Sequence, residues 1–218
     1  EGKAMLKTIS DCHVKFKTAM KKTDIEIFYQ TLSDDNPDPR GELDWVNTYT
    51  LLVAVVLSAQ ATDVGVNKAT GPLFKKVKTP AAMLKLGEEG LRGYIKSIGL
   101  FNTKARNVIK LSQMLVDGYA GKVPEDRGEL EKLPGVGRKT ASVVMNIAFG
   151  APTIAVDTHI YRISNRTGLA PGKNVLAVEA KLEKVTPAHW KLHAHHWLIL
   201  LGRYVCKARK PECYRCLV

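Results

Sequence analysis

The stretch Leu133-Pro134-Gly135-Val136-Gly137-Arg138-Lys139-Thr140-Ala141 sets an amine beside a glycine turn and the start of a helix. Glycines at 135 and 137 let backbone N–H groups approach an anion with no Cβ in the way. The helix predicted from Arg138 to about Phe149 aims the positive end of its dipole at the same point. The result is a phosphate seat with Lys139 in the first turn beside it. The helix field and partial burial both favour the neutral, nucleophilic amine. Such an amine can attack the anomeric carbon of a deoxynucleotide and form a Schiff base. The imine acidifies the neighbouring sugar proton, and the 3′ phosphate leaves by β-elimination. On the local pattern alone, Lys139 serves equally well as a simple partner for a phosphate.

Asp157 lies in Ala155-Val156-Asp157-Thr158-His159-Ile160-Tyr161-Arg162. It reads as the N-cap of a helix running to about Arg166 and closed by Gly168. Placed opposite Lys139, the same carboxylate would stabilise oxocarbenium character at a sugar or relay a proton with the amine. The two roles are compatible, because a capping carboxylate is held rigidly. Ser58-Ala59-Gln60-Ala61-Thr62-Asp63 ends an apolar helix on a polar loop. Gln60 is placed to enter the hole left by an extruded base, although the loop also reads as a plain helix end with an N-cap at Thr62 or Asp63. In Ile98-Gly99-Leu100-Phe101-Asn102, Leu100 is a candidate wedge in a turn, or an ordinary core contact.

Cys206-x6-Cys213-x2-Cys216 gathers three soft ligands near the C-terminal end, with Lys207, Arg209 and Lys210 between the first two. The cluster suits a metal site in a reducing cytosol better than a disulfide framework. A cubane iron–sulfur cluster needs four thiolates, so a fourth ligand is expected beyond Val218 or from another residue. His193, His195 and His196 precede the motif, which leaves Cys3His zinc as an alternative. Cys12, far away in sequence, reads as a buried thiol.

These residues need a scaffold. The chain has 218 residues, 45% of them hydrophobic, enough for a real core in one large or two small domains. No apolar run approaches the ~20 residues of a membrane span. No secretory signal pattern opens the chain. The net charge of +12 points to nucleic acid as the partner class. Residues 1–32 suggest one or two amphipathic helices, and Ser33-Asp34-Asp35-Asn36-Pro37-Asp38-Pro39-Arg40-Gly41 a break. The apolar run Trp45–Leu57 fits a buried central helix. Further helical pieces are expected at 63–70, 72–74, 80–84, 88–95, 101–117, 125–132, 175–185 and 190–204. With no hairpin signals and no clean alternation, the class is all-α.

Together these motifs closely resemble the bacterial endonuclease III family of DNA glycosylases, over most of the chain from about Thr23. The resemblance rests on Leu57-Ser58-Ala59-Gln60-Ala61-Thr62-Asp63, Ser97-Ile98-Gly99-Leu100, the Leu133–Ala141 turn, Val156-Asp157-Thr158-His159, His196-Trp197-Leu198-Ile199, Gly202-Arg203-Tyr204 and the cysteines. It implies two helical domains: a six-helix barrel at about 43–149 with a helix-hairpin-helix at 125–149, and a discontinuous domain of 1–42 and 150–218, with the active site in the cleft between them. It makes Lys139 the Schiff-base nucleophile and Asp157 the essential carboxylate. Gln60 and Leu100 would fill and wedge the duplex, while Gly135, Gly137, Arg138 and His159 would contact DNA. Cys206, Cys213 and Cys216 would ligate a [4Fe–4S] cluster, with the fourth cysteine past Val218.

The implied activity is removal of oxidised or ring-saturated pyrimidines from damaged double-stranded DNA, with abasic-site lyase cleavage, by a cytoplasmic, nucleoid-associated bacterial monomer. An adenine glycosylase for mispairs shares that fold but lacks the lysine. A non-catalytic helix-hairpin-helix module has no need of Lys139 and Asp157 together. A zinc-stabilised protein-interaction module would account for the cysteines alone.

Overall fold

The computed structural model describes residues 19–218. Cys12 and the first part of the helical region expected over residues 1–32 lie outside the described residues. Among the described residues all regular structure is helical. None of these helices is long and apolar enough to cross a membrane. The chain divides into two compact units, one of Gly41–Ala151 and one joining the segment that ends at Arg40 to Pro152–Val218.

The Gly41–Ala151 unit is built around α2 (Thr48–Ser58), in which every position from Tyr49 to Leu57 is buried. A helix apolar on all sides has no stable place except a core. Each fully buried Leu or Val contributes about 1.5–3 kcal/mol, which outweighs the modest helix propensity of its valines. A reciprocal cap fixes where α2 begins. The Asn47 side chain accepts the Thr50 N–H at 2.9 Å, and the Thr50 hydroxyl accepts the Asn47 N–H at 2.9 Å. Around α2 pack α3 (Asp63–Lys76), α4 (Pro80–Ile95), α5 (Phe101–Tyr119), α6 (Arg127–Glu131) and α7 (Arg138–Phe149).

One expected break in this unit is absent. The pieces at 63–70 and 72–74 are one helix, with Pro72 inside it. A proline in a helix interior costs about 3 kcal/mol, and burial of Leu73 and Phe74 just beyond it offsets that cost. The pieces at 80–84 and 88–95 are, as expected, two helical stretches within α4, separated where Gly87 leaves the helical region at φ 74° and ψ 170°. Only glycine adopts that backbone readily, so the break sits there.

The second unit contains α1 (Lys22–Asp35), α8 (Thr158–Thr167), α9 (Val175–Val185) and α10 (Lys191–Leu200). Its core joins Phe28, Tyr29, Ile160, Ile163, Leu182 and Trp197. The Trp197 indole donates to the Asn36 carbonyl at 2.7 Å, and Tyr29 Oη lies 3.0 Å from Thr186 Oγ1. α1 runs on to Asp35, three residues into the expected break, and the chain is irregular from Asn36 to Gly41. The expected helix at 190–204 is three pieces: a 3-10 turn at Ala188–Trp190, α10, and a π-helical turn at Leu201–Val205. That widened turn presents the Gly202 carbonyl to Arg162 on α8, whose Nη2 donates to it at 2.8 Å.

Candidate active site

The helix-hairpin-helix turn is assembled on α2 and α5. Gly135 has φ 82°, the left-handed region that only glycine enters without strain. A Cβ there would lie 3.1 Å from Asn107 Cβ and Nδ2 and 3.3 Å from Val56 Cγ1. Gly135 is therefore fixed twice, by conformation and by close packing. Gly137 is different. It is the N-cap of α7 at φ −96°, and nothing lies within 4 Å of where its Cβ would be. A side chain at 137 would stand in the open space in front of the turn.

The N–H of Val136 closes the turn on the Leu133 carbonyl at 3.0 Å, whereas the N–H groups of Gly135 and Gly137 have no partner among the described residues. In this unit α2, α3, α4 and α6 carry side-chain caps, from Asn47, Thr62, Thr79 and Asp126. α7 has none. Arg138 and Lys139 are exposed in its first turn. The partial burial expected for Lys139 is absent, because it projects from the second helical position into open space. The electropositive helix end remains.

Gln60 and Leu100 are both exposed, and both are non-glycine residues in the left-handed region, at φ 53° and 59°. Their loops adjoin: a Cβ on Gly99 would lie 4.0 Å from the Gln60 carbonyl oxygen. Each such conformation costs about 1 kcal/mol or more, and Leu100 is in addition 60% exposed. Two exposed side chains on adjoining loops, each on a strained backbone, are not explained by core packing. Leu100 is thus not the ordinary core contact that its residue type suggests. It also leaves α5 without a side-chain cap. One turn further on, Lys104 is buried with its Nζ unpartnered, and burial draws its pKa downward. Lysine spacing in the sequence gave no sign of this.

In the other unit, Asp157 caps α8. Its Oδ1 accepts the N–H of His159 at 2.9 Å and of Ile160 at 2.8 Å. Both bonds fall on one oxygen, and Oδ2 has no partner among the described residues. A carboxylate held by its cap with one oxygen unengaged can stabilise positive charge on a sugar or hold a proton. His159 Nδ1 lies 3.2 Å from Arg162 Nη2, so its ring is oriented by α8 itself.

Arg162 was not singled out in the sequence, yet it ties this region together by donating to the carbonyls of Gly202 and Cys206, at 2.8 and 3.0 Å. Only a contact across some forty residues of sequence discloses that role. Gly202 is required in turn, since a Cβ there would lie 2.8 Å from His159 Cβ.

Cys206 is buried, and its Sγ accepts from Arg166 Nη1 at 3.4 Å. Cys213 Sγ and Cys216 Sγ lie near the carbonyls of Pro211 and Val218, at 3.7 and 3.1 Å. The donor chemistry suits iron and sulfide, but among the described residues no three His, Cys, Asp or Glu side chains converge on a point where a metal would sit. The zinc alternative through His193, His195 or His196 is not formed either. Those histidines belong to α10, where His193 packs against Trp197 and His195 against His196. Glu212 accepts from Lys207 and Arg215, and these hydrogen bonds hold its carboxyl below the usual carboxylate range.

Residues 53–188 match the model of the HhH-GPD superfamily of base excision DNA repair proteins. Endonuclease III of Escherichia coli K12 is 61% identical over 86% of this chain and 89% of its own length. The chain belongs to the endonuclease III family. Within that family, the Haemophilus influenzae protein is 58% identical over 91% of this chain and 94% of its own. A solved structure of a trapped endonuclease III–DNA covalent intermediate, an estranged-adenine complex, superposes with a TM-score of 0.84 at 48% identity, covering 90% of this chain and 93% of that one. A thermostable thymine-DNA glycosylase is more distant, with a TM-score of 0.77 and 28% identity over 89% and 93%. The chain is accordingly a base-excision DNA glycosylase with abasic-site lyase activity.

Proposed function

We propose that Lys139 is the nucleophile of this enzyme and Asp157 its essential carboxylate, acting on one damaged nucleotide. The amine attacks C1′ and the damaged base departs with the bonding pair, which a proton neutralises. The nitrogen lone pair then opens the sugar: the C1′–O4′ bond breaks, O4′ takes up a proton, and the lysine and C1′ are joined as a protonated imine. Loss of a C2′ proton carries electrons toward the imine, the C3′–oxygen bond breaks, and the strand ends in a departing phosphate. Water finally releases the amine. Asp157 stabilises positive character at C1′ during base departure and takes part in the proton transfers. The observation that carries the reading is the uncapped α7 N-terminus, with unpartnered Gly135 and Gly137 amides and an exposed amine in its first turn. The covalent DNA intermediate trapped in a relative supports it.

The substrates are oxidised and ring-saturated pyrimidines in duplex DNA. A damaged base costs less to unstack, which contributes to its selection. Gln60 fills the vacated space and Leu100 wedges the stack, a reading supported by their exposure and adjoining strained loops. Gly135, Gly137 and Arg138 hold the backbone, with His159 alongside Asp157. The barrel domain of 43–149 carries the hairpin, and the discontinuous domain of 1–42 and 150–218 carries the carboxylate and the cysteines. Cys206, Cys213 and Cys216 ligate a [4Fe–4S] cluster, supported by the soft donor set and the guanidinium at Cys206. The enzyme works as a monomer on the nucleoid in the bacterial cytoplasm.

A panel of defined lesion duplexes, scored separately for base release and strand scission, tests this reading. Thymine glycol and dihydrouracil duplexes should be cleaved and undamaged duplexes left intact. Activity confined to an adenine mispair, without strand scission, would overturn it. Iron and sulfide analysis of the purified protein, with about four of each per chain expected for one cubane, tests the cluster.

A further inference from the structure

The geometry points to Asn107 as a further DNA-positioning residue, whose amide donates to the same backbone phosphate that the hairpin amides receive. This rests on the phosphate-seat reading of the Gly135–Gly137 turn. Asn107 lies on α5 and is half-buried. Its Nδ2 lies 3.1 Å from the point a Cβ on Gly135 would occupy, so the amide sits directly on the flank of the turn. It makes no side-chain hydrogen bond among the described residues.

A carboxamide carries two donors, and no group among the described residues engages those of Asn107. Packing alone does not ask for an amide there, since Val56 supports the same face of Gly135 with a methyl group. The unpaired donors of Asn107, Gly135 and Gly137 are gathered at one turn, in an electropositive field. An acceptor-rich anion satisfies all of them, and the anion the enzyme meets is a DNA phosphate. Asn107 also lies on α5, the helix that begins directly after Leu100. One helix therefore links the proposed wedge to the proposed phosphate grip, which sets the register of one against the other.

The test is binding of an uncleavable tetrahydrofuran duplex by wild type, Asn107→Ala and Asn107→Asp, repeated with single methylphosphonates scanned along both strands. Asn107→Ala should bind about tenfold more weakly, and Asn107→Asp more weakly still, because its charge opposes the phosphate. Melting temperatures of both variants should stay near wild type. At one methylphosphonate position, and only there, wild type should lose affinity while Asn107→Ala loses little more. A uniform Asn107→Ala penalty at every position, or no penalty, overturns the assignment of Asn107 and leaves the seat intact if wild type still shows one sensitive phosphate. If wild type shows none, the seat reading fails and this inference fails with it. Should Asn107→Ala melt early, Asn107→Ser, which keeps a donor, must restore the position-specific coupling, and its failure to do so is equally contrary.

Discussion

Asp157 Oδ1 accepts the backbone N–H of Ile160 at 2.8 Å, so the proposed catalytic carboxylate is also the cap of its own helix. The two roles separate by substitution. Asparagine caps as well as aspartate, so Asp157→Asn should fold with wild-type stability and bind intact duplex, yet lose most base release. Asp157→Ala should lose the same activity and in addition about 1 kcal/mol of stability. Urea denaturation alongside a single-turnover glycosylase assay distinguishes them. Equal destabilisation by Asn and Ala would mean that the charge, and not the cap, holds α8.

Gly135 and Gly137 look alike in the sequence and differ in the structure. Gly135→Ala places a Cβ in the left-handed region and against Asn107 and Val56, and should cost about 1–3 kcal/mol. Gly137→Ala has room and a permitted backbone, so its melting temperature should stay near wild type. Its methyl group nonetheless occupies the space in front of the seat, and DNA binding should weaken in both variants. Calorimetry paired with duplex binding checks this. A Gly137→Ala protein that binds normally would show that no phosphate approaches there.

Alkaline stability should fall in both units. Burial pushes the Tyr29 and Tyr49 hydroxyls well above the ordinary tyrosine value. A raised folded pKa makes a contribution that is complete below the unfolded value of about 10 and is lost as pH climbs beyond it. Ser112 donates to the Val108 carbonyl, so Tyr49 donates to Ser112, at 2.6 Å. Ionised Tyr49 would forfeit that bond. Melting temperature followed from pH 8 to 12 should drop above about pH 10, and less steeply in Tyr49→Phe, which has no proton to lose.

The ends of α7 and α8 are legible because their signals are local, Gly137 before α7 and Asp157 and Gly168 around α8, and α9 spans the expected 175–185. Errors arose where distant burial overrode a local breaker. Pro72 marks a boundary in the sequence pattern, which does not disclose that Leu73 and Phe74 are core. Gly87, by contrast, does interrupt the helical run between 84 and 88, where the sequence places a break. At the site, residue types and motif order identified the family, but Arg162 and Asn107 resemble ordinary helix residues until their remote contacts are known. The exposure of Lys139 was likewise invisible, because it depends on what α7 packs against.

The central claim is that the Lys139 amine forms the covalent link to DNA. Borohydride reduction during turnover of an abasic duplex, followed by proteolysis and mass spectrometry of the adduct, tests it directly. Wild type should yield a cross-link mapped to Lys139, and Lys139→Gln should yield none while still binding the duplex. A cross-link mapped to another amine, or a Lys139→Gln protein that nicks abasic DNA at the wild-type rate, would contradict the account.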